Sequence, residues 1–223
     1  MYELRTKTYG RRKGRMSKAE KEALERFLPM LQIPLKGMID QEKEFSRKAP
    51  LFIEIGFGNG SFLYQKALSM PHANFIGIEV YITGAAKLIR RMTSYDNTKE
   101  PSLSNIRIIL EDARRVFSES LPDSSVTGVY ILFPDPWPKK RHHKRRLVNS
   151  EFAGVLFRKL QKGGFVLIAT DHRGYAEVIE ESFRDAGFER TEHTELDEIS
   201  HTKYAEKARA ESAEIYLFKF IKP

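Results

Sequence analysis

Between residues 129 and 146 the chain reads Val-Tyr-Ile-Leu-Phe-Pro-Asp-Pro-Trp-Pro-Lys-Lys-Arg-His-His-Lys-Arg-Arg. The apolar run over 129–133 has the composition of a parallel strand buried on both faces, and Pro134 stops it. Prolines at 134, 136 and 138 hold Asp135 and Trp137 in a stiff extended turn. In an open α/β sheet, ligands bind just past the carboxyl ends of the strands. The turn therefore presents an acid and the chain's single tryptophan where chemistry occurs. Six Lys/Arg and two His follow within eight residues. A carboxylate, an aromatic plate and a cationic strip suit a nucleobase and its phosphates. A proline turn leading into a solvated basic loop accounts for the same residues equally well, so the rest of the chain has to decide.

Three more acids end predicted strands: Glu54, Glu79 and Asp112. Beside Glu54 stands Gly56-Phe57-Gly58-Asn59-Gly60, a glycine turn between a strand and a helix that lets backbone approach a ligand closely. The dinucleotide fingerprint needs Gly-x-Gly-x-x-Gly, and position 61 is Ser. An acid after the second strand is compatible with a nicotinamide dinucleotide, but four acids around one cleft repel a pyrophosphate. Charges a few ångströms apart cost kilocalories even at an effective dielectric near ~20. S-adenosylmethionine carries a sulfonium, an ammonium, one carboxylate and a ribose diol, with no phosphate, and suits an acid-rich pocket. At most one of the four acids is expected to cap a helix or pair with Arg114, Arg115 or Lys87 instead.

The elements that position these residues alternate. Strands are predicted over 51–55, 74–78, 106–110, from 129 to an end at Asp135, 165–170, 188–193 and 215–220. Helices are predicted from about Ser61, over 83–92, through Phe117, over 150–160 with a left-handed cap at Gly163-Gly164, and over 175–186. The stretches 41–48 and 94–105 read as polar connections. Ser17-x-x-Glu20 resembles a capping box opening a helix that stops at Pro29. Before it, residues 5–18 hold seven Lys/Arg and no apolar period, the pattern of a basic arm. Alternation of this kind predicts an α/β doubly wound sheet, with an arm and helix over 1–48 and one domain over 49–223.

A net charge of +8 over 223 residues fits an anionic partner. With no cysteine, thiolate nucleophiles and Cys-based zinc sites are excluded. No apolar run reaches membrane-spanning length and no signal-peptide core opens the chain, so a cytoplasmic protein is expected. No His/Asp/Glu spacing supports a metal site.

Taken together, Glu54 to Gly60, Gly77-Ile78-Glu79-Val80, Phe133 to Lys139 with the run to Arg146, Thr170-Asp171, and Thr202-Lys203-Tyr204 resemble the tRNA (guanine-N7-)-methyltransferases of bacterial type. The resemblance covers most of the chain. It implies the class I S-adenosylmethionine-dependent fold, Rossmann-like, with seven strands and the last antiparallel. It implies tRNA as partner, a monomer or homodimer, and methylation at N7 of the variable-loop guanine (tRNA position 46). By resemblance, Glu54, Gly56, Gly58, Gly60, Glu79, Asp112 and Asp135 form the cofactor site, and Asp135 is also catalytic. Lys139, Asp171, Thr202, Lys203, Tyr204 and Ala205 line the guanosine pocket, and Arg141, His142, His143, Lys144, Arg145 and Arg146 contact RNA. The family's glutamate after Thr-Lys-Phe/Tyr is Ala205 here. Either Glu206 takes its role after a small shift or the pocket is modified. The family's frequent histidine is Pro138, so that histidine is not required for the chemistry.

Two other readings remain open on the residues alone. Asp135-Pro136-Trp137 loosely resembles the Asp-Pro-Pro-Tyr element of adenine-N6 methyltransferases, though it lacks the second proline and carries a basic run. A non-catalytic RNA-binding protein fits the charge but has no use for four strand-end acids.

Overall fold

A computed structural model describes residues 14–96, 98, 101–191 and 214–223. Seven strands form one sheet: β1 (Leu51–Ile55), β2 (Asn74–Glu79), β3 (Ile106–Leu110), β4 (Val126–Leu132), β5 (Leu160–Thr170), β6 (Glu189–Arg190) and β7 (Tyr216–Ile221). Their order is β3-β2-β1-β4-β5-β7-β6; β1 to β5 are parallel, and β7 runs antiparallel to both neighbours. This is the expected seven-stranded α/β sheet. The chain steps outward from β1 to β3, then crosses back to β4. That reversal opens a crevice at the carboxyl ends of β1 and β4, where ligands bind in such sheets.

Strand periodicity builds two cores. Ile53, Ile55, Ile76, Ile78, Val129, Ile131, Val166 and Ile168 face one side, against α5 (Ala113–Glu119), α6 (Ser150–Lys159) and α7 (Arg173–Asp185). Phe52, Phe75, Tyr130, Leu132, Leu167 and Ala169 face the other, against α1 (Lys18–Leu31), α3 (Ser61–Ser69) and α4 (Ile82–Met92). A short helix, α2 (Gln41–Phe45), buries Phe45 in the first core. Both faces are covered, so the strands are apolar at nearly every position.

Several boundaries differ from the sequence reading. The capping box is present, with the Ser17 hydroxyl accepting from Glu20 N and Glu20 accepting from Ser17 N, but α1 continues past Pro29 to Leu31. Proline costs a helix one hydrogen bond; burial of Phe27 and Leu31 against the sheet outweighs that loss. Helix α1 is thereby part of the core, and Gln32 forms a parallel bridge to Ile108. Strand β4 ends at Leu132 rather than Asp135, because Phe133 turns into the left-handed region at φ 54°. Helix α6 ends at Lys159 with extended Leu160 as its cap. Gly163 is left-handed (φ 73°), but within an irregular stretch of β5 where the register to β4 jumps from Leu160 to Phe165. Strand β6 has two residues, shorter than predicted, and residues 192 and 193 lie outside the described set. The stretch 41–48 contains α2, and residues 140–145 form a 3-10 helix where only a basic run was legible.

Candidate active site

Past β1 the chain turns through Gly56, Gly58 and Gly60, all at positive φ (73°, 55° and 70°). At Gly60 a Cβ would lie 2.7 Å from Leu88 of α4, so the turn and the helix meet only because the side chain is missing. Gly84, in the first turn of α4, would place a Cβ 2.5 Å from the Gly58 carbonyl oxygen. The glycine turn is thus clamped between β1 and α4. Around it lies a cleft in two lobes that share Gly56, Gly58, Glu79, Tyr81 and Leu132. One lobe, about 220 Å³, adds Val80, Glu111, Ala113, Phe133, Asp135 and Leu147; the other, about 340 Å³, adds Glu54, Asn59, Thr83 and Lys87. Joined across the turn, they reach the size of small-molecule sites, ~300–1,000 Å³.

Four acids line this cleft: Glu54, Glu79, Glu111 and Asp135. Glu79 is 7% exposed and accepts from Gly58 N (3.0 Å), Val80 N (2.7 Å) and Tyr81 N (3.1 Å). Burial pushes its carboxyl upward, the three N–H groups pull it back, and the charge of Asp135 adds a smaller upward push. Glu54 is 4% exposed, and its Oε2 has no hydrogen-bond partner among the described residues. Burial first, and Glu79 second, push its carboxyl up to about 8. A buried acid oxygen without a partner calls for a cation or a donor. The set of acceptors therefore fits a ligand with ammonium and sulfonium groups and a diol, and it fits S-adenosylmethionine as read from the sequence.

Asp112 stands apart from those four. It caps α5 by accepting from Arg114 N (3.0 Å), and both its oxygens take the Arg114 side chain, Nε at 3.2 Å and Nη2 at 2.9 Å. With both residues at 5–6% exposure this is a buried ion pair. The resemblance placed Asp112 in the cofactor site; in the structure it lines neither lobe, because the cap and the ion pair engage both its oxygens. Glu111 lines the cleft beside it, bonded to Asp112 N and Arg115. Sequence reasoning passed over Glu111 because two acids end β3 and spacing does not tell which faces in.

The loop after β4 carries Asp135 on the cleft rim, exposed toward solvent. It is not simply extended: Phe133 (φ 54°) and Trp137 (φ 43°) are both left-handed, at roughly 1–3 kcal/mol each for such residues. Phe133 N donates to Ala169 O (2.8 Å), which tethers the loop to β5. Trp137 is covered by its own chain. The Arg145 guanidinium lies 3.6 Å from the ring centroid, and His142 stacks at 5.7 Å with a 17° interplanar angle. Arg141 Nε donates to His142 Nε2 (3.1 Å); partial desolvation and the surrounding cations hold His142 below its usual range.

The basic run splits by placement. Lys139, Lys140, Arg141 and Lys144 are exposed along the 3-10 helix, and His143 Nε2 lies 3.4 Å from the Pro138 carbonyl oxygen. Arg146, grouped with them in the sequence, departs from them: it is 3% exposed and points inward, so it presents no surface to RNA. Its Nε donates to Pro136 O (2.9 Å), its Nη1 to Gly174 O (3.1 Å), and its guanidinium lies 4.8 Å from the Tyr175 ring centroid. Asp171 is exposed just past β5, and neither it nor Lys139 lines the cleft lobes. Thr202, Lys203, Tyr204, Ala205 and Glu206 lie outside the described residues. Among the described residues no cluster of three or more His, Asp or Glu could hold a metal, and no helix is long and apolar enough to cross a membrane.

Comparison with known proteins bears on the same elements. Residues 48–218 match a family described as "Putative methyltransferase". Among solved structures, the 16S rRNA methyltransferase KamB aligns with a TM-score of 0.58 at 15% identity, over 84% of this chain and 96% of that one. That likeness shows a shared fold. Sequence relatives are much nearer. The tRNA (guanine-N(7)-)-methyltransferase of Nitrosococcus oceani is 40% identical over 96% of this chain and 89% of its own length. That of Chromohalobacter salexigens is 40% identical over 83% and 74%. Identity at that level across nearly the whole chain goes with a glycine turn ringed by acids and a Pro-Asp-Pro-Trp loop leading into a cationic strip, and the chain belongs to the tRNA (guanine-N7-)-methyltransferase family.

Proposed function

We propose that this protein transfers the methyl group of S-adenosylmethionine to N7 of a guanine in tRNA, at the variable-loop position 46, in the cytoplasm. The observation that carries this reading is the continuity of the cleft. An acid-lined cleft with an orphaned Glu54 oxygen is bordered by Asp135, whose own loop runs on into the exposed cations Lys139, Lys140, Arg141 and Lys144.

Glu54, Glu79 and the glycine turn are the residues that would hold the cofactor, with Val80, Tyr81, Ala113 and Leu147 as the apolar walls of one lobe. When bound, S-adenosylmethionine supplies an electrophilic methyl group on a sulfonium. Guanine N7 carries no proton and has a lone pair on the major-groove edge. No residue has to act as a base to create the nucleophile, so the protein's task is alignment, worth several kilocalories when the reacting atoms are held in line. Asp135 accepts from the guanine N–H donors and offsets the positive charge that grows on the ring. Leu132, Phe133 and Leu147 form an apolar wall of the lobe that Asp135 borders. Lys139, further along the Asp135 loop, and Asp171, on the neighbouring loop after β5, reach the base from outside the lobes. Lys140, Arg141 and Lys144 take phosphates, and a paired N7 is exposed by unstacking the base.

The test is nucleoside analysis of tRNA incubated with the protein and methyl-labelled S-adenosylmethionine. Label in 7-methylguanosine, lost when position 46 is not guanine, supports the reading. Label in N6-methyladenosine, or no label with intact tRNA binding, overturns it.

A further inference from the structure

We infer that Arg146 is a positioning residue, which holds the Asp135 loop in its working shape and touches neither cofactor nor RNA. This rests on the reading that Asp135 serves the methylated guanine. Three observations meet at this one side chain. Arg146 is 3% exposed although it closes a run in which Lys139, Lys140, Arg141 and Lys144 are exposed. One edge of its fork donates to the carbonyl of Pro136, the peptide group that enters Trp137. Another donates to Gly174 in the first turn of α7, and the flat guanidinium packs on buried Tyr175, whose hydroxyl oxygen accepts from Val148 N at 2.9 Å.

Arg146 therefore ties the loop after β4, which carries Asp135, to the start of α7, which follows Asp171. Trp137 sits at φ 43°, a conformation a bulky side chain holds only where its surroundings impose it. The peptide plane preceding Trp137 sets that φ, and the Arg146 Nε bond at 2.9 Å fixes that plane. A planar fork with donors on two edges can bridge two carbonyls and stack on a ring at once; an ammonium on a flexible stem cannot reproduce that geometry. Burial pushes the guanidinium down from its usual range; arginine keeps its charge in proteins, so a cation faces two carbonyl dipoles and an aromatic face. The placement of Asp135 beside the cleft thus depends on a cation eleven residues further along, in a stretch where Lys139, Lys140, Arg141 and Lys144 face solvent.

The chain's single tryptophan gives a readout that needs no activity. Trp137 is shielded by Arg145 and His142 only while the loop keeps its shape. Arg146→Lys, which keeps the charge, and Arg146→Met, which keeps the stem, are compared with wild type well below their melting temperatures. The expected result has four parts. Acrylamide quenching of Trp137 rises at least about twofold. Affinity for S-adenosylmethionine stays within about twofold. The slope of log K for tRNA against log salt is unchanged. Single-turnover methylation falls at least about tenfold in Arg146→Lys. A slope smaller by the roughly 0.7–0.9 of one lost phosphate contact would make Arg146 an RNA ligand and overturn the inference. Unchanged quenching with a methylation rate within threefold overturns it too, as does a parallel loss of cofactor affinity, which marks general loosening. If Arg146→Met does not fold, Arg146→Lys carries the test. Wild-type protein that forms no 7-methylguanosine defeats the functional reading instead, and the quenching and salt slopes still report on Arg146.

Discussion

Glu54 offers the sharpest quantitative test of the cleft. Its carboxyl is buried, one oxygen has no partner, and its value stands at about 8 against an ordinary 4.5. The folded value lies above the unfolded one, so between pH 4.5 and 8 the native chain binds more protons than the unfolded chain. Stability attributable to Glu54 is fully present below that window, falls as pH rises through it, and is flat above it. At 1.36 kcal/mol per pH unit, the whole effect is on the order of 5 kcal/mol. Glu54→Gln removes the titration while keeping the shape. In urea denaturation the variant is expected to match wild type near pH 5 and to exceed it by several kcal/mol at pH 8.5. A cationic ligand reverses the preference and drives the proton off. At pH 7 about nine-tenths of Glu54 is protonated when its value is near 8, so binding releases nearly one proton. Titration calorimetry of S-adenosylmethionine in buffers of different ionisation enthalpy measures that number. The ligand's own amine contributes equally to wild type and Glu54→Gln, so the difference between them isolates Glu54. Superimposable pH–stability curves, or equal proton release from both proteins, would refute the assignment of Glu54 as the cation-seeking acid.

Other outcomes follow from the same geometry. Asp135→Asn replaces two acceptor oxygens with one and turns a donor toward the guanine N–H groups. It should remain folded, bind tRNA, and lose at least about a hundredfold in single-turnover kcat; a variant within threefold of wild type would leave alignment as the source of catalysis. Replacing exposed Lys140, Arg141 and Lys144 together with Ala should lower the salt slope of tRNA binding by roughly 0.7–0.9 per phosphate contact, and an unchanged slope would show that the strip faces solvent. Arg114→Ala strands the buried Asp112 charge and should cost about 3–5 kcal/mol in denaturant unfolding, whereas a loss below 1 kcal/mol would show that water or another donor takes over.

The sheet was legible because its signals are local. The apolar strands β1, β2 and β3, each followed by a glycine turn or closed by an acid, announce their ends in composition alone, and β1 and β3 fall on the predicted residues. Glu54 and Glu79 were legible for the same reason. What escaped the sequence depends on packing between distant segments. Pro29 looks like a helix stop until Phe27 and Leu31 are seen to be buried against the sheet. Arg146 looks like its neighbours, because nothing in a run of cations marks the one that turns inward to Pro136 and Gly174. Asp112 and Glu111 exchange prominence for a related reason: Arg114, two residues on, claims the first and leaves the second on the cleft.

The bridge between Gln32 and Ile108 has a meaning beyond the domain's own stability. Strand β3 is the outer strand on its side of the sheet, and Ile106, Ile108, Ile109 and Leu110 make it apolar. An uncovered strand of that kind is a template on which a second chain can add, the first step of aggregation. The segment after α1 lies across that edge, with Ile33 N donating to Ile108 O at 2.9 Å. At the opposite edge β6 is only two residues long, too short to recruit a partner. The amino-terminal helix therefore acts as a guard on an otherwise adhesive border, and trimming the chain to its family-matching region would trade away solubility along with the basic arm.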